Sequence, residues 1–71
     1  MNASRLELLT LLAELSEADG ELRLGQMIAN LATMARGATV EAVWDAEDEE
    51  LLAAAQRLLE RYHARNSQAA S

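Results

Sequence analysis

Between residues 5 and 18 the chain carries more leucine than one side of a helix can use. Turned at about 100° per residue, this stretch gathers Glu7, Thr10, Glu14 and Glu17 into one narrow arc, and Leu6, Leu8, Leu9, Leu11, Leu12, Ala13 and Leu15 fill most of the remaining circumference. A helix packed on a single core needs an apolar stripe only about 100° wide or a little more. Two arrangements satisfy the surplus: neighbouring helices cover it from both sides, or a second chain does. Cover is scarce, because the chain has 71 residues, and a domain of that size buries only about 60 % of the surface its unfolded form exposes. Cysteine is absent and His63 is the single histidine, so neither disulfides nor a histidine or thiolate zinc site can staple the fold. Self-association is the staple that remains. Leu8, Leu11, Leu12 and Leu15 are expected to provide it.

Asp19-Gly20 ends this first helix, with Gly20 expected in the left-handed conformation at the C-terminal cap. So short a connection predicts an antiparallel hairpin with a second helix over residues 22–36, whose Leu24, Met27, Ile28, Leu31, Met34 and Ala35 share one face. The opposite side is unusual. It presents Arg23, Gln26, Asn30 and Thr33, a largely uncharged stripe where salt-bridging charges are the norm. These side chains either hydrogen-bond backbone in the following connector or meet a partner chain, and Arg23, Gln26 and Asn30 are therefore candidate interaction residues. Gly25 costs roughly 1 kcal/mol against alanine inside a helix, which predicts close approach of another backbone as compensation. Gly37 stops the helix. Residues 38–45 form a connector, with a helical turn or a short extended piece, in which Val40, Val43 and Trp44 are the apolar members. Trp44 either plugs the end of its own core or anchors an interface.

The third helix has the clearest pattern. Asp45 is its expected N-cap, and Glu47, Asp48, Glu49 and Glu50 crowd a first turn where the partial positive charge of the free amides favours carboxylates. Leu51, Leu52, Ala55, Leu58, Leu59 and Tyr62 then form a single apolar stripe, and Arg57, Arg61, His63 and Arg65 complement the far end of the dipole. Hydrophobic residues make up 51 % of the chain and charged residues 25 %, with no proline, which is the composition of a chain that folds. The expected architecture is all-α: a small three-helix bundle, a helical hairpin plus a third helix, over residues 1–65, completed by oligomerisation into a dimer or higher assembly. Residues 66–71 are expected to form a flexible polar tail.

Several function classes lose their footing on these residues. The run from Asp45 to Glu50 lacks the alternating oxygen ligands and central glycine of a calcium loop, so a metal site is not expected. The serines have no glycine-rich elbow around them and no nucleophilic cysteine accompanies His63, so no catalytic residue and no cofactor-binding residue is assigned. A bundle this small also has little room for a substrate pocket of about 300 Å³ or more. Arg23, Gln26 and Asn30 after the turn at Asp19-Gly20 are side chains that can read base edges, yet a net charge of −6 supplies no counterion-release term, and nucleic acid is not an expected partner. The longest uncharged run is too short and too polar to span a bilayer, and the leucine-rich start lacks the form of a leader, so a cytoplasmic, membrane-free protein is expected. Abundant alanine, with arginine as the only basic residue apart from His63, points to a GC-rich bacterial genome.

Two strings carry a resemblance. Arg23-Leu24-Gly25-Gln26-Met27-Ile28-Ala29-Asn30 and, after an aromatic connector, Glu47-Asp48-Glu49-Glu50-Leu51-Leu52 resemble a small uncharacterised bacterial family of helical proteins with an Arg-x-Gly-Gln-x-x-x-Asn helix followed by a Glu-Asp-x-x-Leu-Leu helix. The likeness spans roughly residues 20–60 and implies no activity. Members place Pro-Asp ahead of the helix, where this chain has Gly20-Glu21. The expectation is thus a non-enzymatic protein–protein interaction module that self-associates through its first helix. The alternative is a small acidic inhibitor, such as an immunity protein, antitoxin or anti-defence factor, whose Asp45 to Glu50 segment engages a heterologous basic protein.

Overall fold

The computed structural model describes the backbone of residues 2–70 and the side chains of residues 2–65. Within them the chain forms α1 (Ala3–Ala18), α2 (Leu24–Arg36), the single-turn α3 (Ala42–Asp45) and α4 (Asp48–Ala70), with no strand among the described residues. The all-α bundle is as expected. The backbone of 66–70, where a flexible polar tail is expected, continues α4, whereas the side chains of 66–70, and Ser71, lie outside the described residues.

Local chemistry sets each boundary. Asn2 is extended (φ −79°, ψ 163°) and its side-chain oxygen accepts the Arg5 N–H at 2.8 Å, so α1 starts two residues earlier than its apolar pattern. At the other end the expected left-handed Gly20 is not found: Gly37 (φ 94°) is the glycine with positive φ. The turn is made instead by Asp19, whose N–H donates to the Leu15 carbonyl at 3.0 Å and whose carbonyl accepts from Leu22 at 3.3 Å. Gly37 does stop α2 as anticipated, with its N–H on the Thr33 carbonyl at 2.7 Å.

Helix α2 opens at Leu24, two residues later than expected, because the Gln26 side chain reaches back and accepts the N–H of extended Arg23 at 2.9 Å. The cap of the last helix also moves. Asp45 closes α3, donating its N–H to the Glu41 carbonyl at 2.9 Å, and so is not the N-cap of α4. Glu47 takes that place: its carbonyl accepts from Leu51 at 3.0 Å, and its N–H donates to Glu50 Oε1 at 3.0 Å. Several adjacent acids satisfy a capping preference equally, and the turn spent in α3 decides between them.

Both α1 and α2 pack along α4, and α3 leans on α2. Arg5 meets Asp48 near the starts of α1 and α4, while the Tyr62 hydroxyl donates to Asp19 at their other ends, so these two helices run parallel. Arg36 at the end of α2 pairs with Glu50 at the start of α4, which makes α2 antiparallel to both. The core joins Leu8, Leu12 and Leu15 of α1, Met27 and Leu31 of α2, and Ala54, Ala55 and Leu59 of α4. No polar or charged side chain is buried among the described residues, and the core is held by dispersion and by hydrocarbon removed from water.

Candidate interaction surface

The leucine surplus of α1 divides. Leu8, Leu12 and Leu15 are buried and Leu11 is half-buried against the same cluster, so the four leucines expected to meet a partner are spent mainly on the chain's own core. What α1 leaves over is Leu6 and Leu9, 60 % and 47 % exposed. The wheel had no unique inward side, and α4 selected one.

A second apolar surface lies on the connector. Trp44 is 91 % exposed, Val40 92 % and Val43 52 %, while Ala42 is the connector residue that turns inward. Of the two roles open to Trp44, plugging the end of its own core is thereby excluded. Glu41, Asp45, Glu47 and Glu49 lie beside it in sequence, all exposed. Neighbouring Asp48 and Glu50 are engaged instead, by Arg5 at 3.0 Å and Arg36 at 3.1 Å. The Glu47 amide, followed by the Arg36 guanidinium and its charge, holds the Glu50 carboxyl below the usual range against an opposing contribution from desolvation.

The uncharged stripe of α2 does not fold back on the connector. Arg23, Gln26, Asn30 and Thr33 are all exposed, and among them Gln26 has an assigned partner in the Arg23 amide, a bond internal to its own helix start. Gly25 also departs from expectation. A Cβ there would meet nothing within 4 Å, so among the described residues no backbone from another element approaches it.

Arg57, Arg61 and Arg65, whose sequence positions suggest only dipole partners, recur every fourth residue on the exposed face of α4. The ion pairs among the described residues are those of Arg5 and Arg36, so none of these three arginines has a carboxylate within ion-pair distance there. The Arg65 guanidinium lies 5.6 Å from the Tyr62 ring centroid. Burial, followed by the hydrogen bond to Asp19 and its charge, pushes the Tyr62 hydroxyl above its ordinary pKa, with Arg65 acting in the opposite sense.

Among the described residues there is no cavity, no group of three or more potential metal ligands, and no helix long and apolar enough to cross a membrane. No protein-family model matches the chain, and no curated protein or solved structure is significantly similar to it.

Proposed function

We propose that this chain is a cytoplasmic protein–protein interaction module that self-associates, with Trp44 as its anchor. The observation that carries this reading is a tryptophan exposed at 91 % on a helical turn, beside Val40 and Val43. An indole carries roughly 200 Å² of contact surface, and burying it in a partner recovers free energy that solvent exposure forfeits. Tryptophan is also the residue type most enriched where truncation damages an interface. The route through the first helix survives only as Leu6 and Leu9, a smaller apolar patch on α1. Leu8→Glu, by contrast, now tests folding, since Leu8 is in the core.

Light scattering coupled to size exclusion, from micromolar to millimolar protein, tests the proposal. Concentration-dependent growth in mass is expected, with Trp44→Ser returning the chain to its monomer mass of 7.7 kDa. A wild-type protein that stays at that mass throughout would defeat it.

The four exposed carboxylates that flank Trp44 in the sequence favour one second reading, an acidic inhibitor of a basic target. Steered association of that kind slows sharply as salt is raised. Binding to the target that is indifferent to salt would count against it.

A further inference from the structure

The connector's electrostatic complement is present in the chain itself, and we propose that Trp44 and its acidic neighbours in one copy dock on the arginine face of α4 in another. The inference rests on the self-association reading above and adds the surface that receives the connector.

Charge is separated along the sequence. Positions 41–50 carry six carboxylates, at 41, 45, 47, 48, 49 and 50, and no basic residue. Two of these are neutralised by Arg5 and Arg36, which leaves Glu41, Asp45, Glu47 and Glu49 exposed on either side of Trp44 in the sequence. Further along α4, Arg57, Arg61 and Arg65 face solvent with Glu60 as the opposing charge between them. Side chains four apart on a helix share a face, so the three guanidiniums form a row about 12 Å long.

One copy cannot bring the two surfaces together. At about 1.5 Å per residue, Arg61 lies roughly 20 Å along the helix axis from Asp48, where the connector joins. Nor can two connectors meet face to face, because each would oppose the other's exposed carboxylates. The complementary contact therefore joins unlike surfaces of two copies; made reciprocally it closes a two-fold dimer, and made head to tail it leaves one connector and one arginine row free at the ends until a ring closes. Within it the indole face offers a guanidinium a cation–π partner, and the arginine stems present methylenes to Val40 and Val43. The connector is small beside the roughly 800 Å² per partner of a standard interface, so assembly belongs at high micromolar concentration. Surface charges add to the apolar contact, so assembly weakens in about 1 M salt, where the Debye length is near 3 Å.

A mixing experiment separates this arrangement from any other. One variant, Val40→Ser with Trp44→Ser, has a disabled connector and an intact arginine row. The other, Arg57→Gln with Arg61→Gln and Arg65→Gln, has the reverse. All five positions are exposed, and helical circular dichroism checks that both variants fold. Each alone should run at 7.7 kDa by light scattering, and their mixture should form a complex of twice that mass and grow no further. The arginine variant assembling like wild type would overturn the docking surface while leaving Trp44-dependent association intact. Failure of the mixture to form a complex when wild type assembles would overturn it equally. A wild type that never assembles would take down the underlying reading as well.

Discussion

Alanine at position 25 should make the fold more stable, by about 0.5–1 kcal/mol. Gly25 is the second residue of α2, is exposed, and lacks the positive φ that would reserve its place for glycine. A Cβ built there meets no atom within 4 Å, so the added methyl neither clashes nor packs. What remains is backbone freedom, which glycine loses on entering a helix more than alanine does. The full interior difference is about 1 kcal/mol, and a first-turn position realises part of it because its amide has no helical partner to lose. For a domain of this size the gain corresponds to a rise in Tm of about 2–8 °C. Thermal melts followed by circular dichroism at low micromolar protein provide the assay, since assembly at higher concentration would itself raise Tm. An unchanged or lowered Tm would refute the reasoning. Loss of self-association alongside a raised Tm would show that a partner's backbone, absent from the protomer, is what approaches Gly25.

Other positions test other links. Leu31→Ala should cost about 2–5 kcal/mol in denaturant titration, because Leu31 is fully enclosed, whereas Leu9→Ala should stay within about 0.5 kcal/mol; equal losses would contradict the division of α1 and α2 into inner and outer faces. Gln26→Ala removes the acceptor for the Arg23 amide and should cost about 0.5–1 kcal/mol, recovered by Gln26→Glu, and equal midpoints for all three proteins would show that the bond contributes nothing. The Tyr62 pKa is raised in the fold, so its stabilising effect is complete below the ordinary tyrosine value of about 10 and is lost as pH rises through the folded pKa. Ultraviolet titration should place its ionisation above that of free tyrosine, and Tyr62→Phe should flatten the alkaline arm of the stability profile; an ionisation at the free value would sink the Asp19 contact.

Helices were the legible part of this sequence, and their mutual arrangement was not. Met27 and Leu31 at helical spacing could be assigned to the core from period alone, and Gly37 could be read as a stop because glycine alone adopts its backbone angles without strain. The inner face of α1 had no such signature, since a wheel more than half apolar is consistent with several orientations until α4 is in place. Trp44 misled by size: bulk favours enclosure, yet it is Ala42, with one methyl, that turns inward from the connector. The arginine row was visible as spacing, but its significance lies in partners it lacks, and only coordinates show which ions have found one another.

The parallel pairing of α1 with α4 has a consequence for the order of events in folding. Its contacts join residues 43 and 49 positions apart, as in Arg5–Asp48 and Glu7–Gln56. The leucine-rich face of α1 therefore finds its main mate only across a long intervening segment, and the cost of closing that loop falls due before any of its contacts form. Leu8, Leu12 and Leu15 thus gain their enclosure together, in the step that docks α1 on α4 and bears the loop-closure cost.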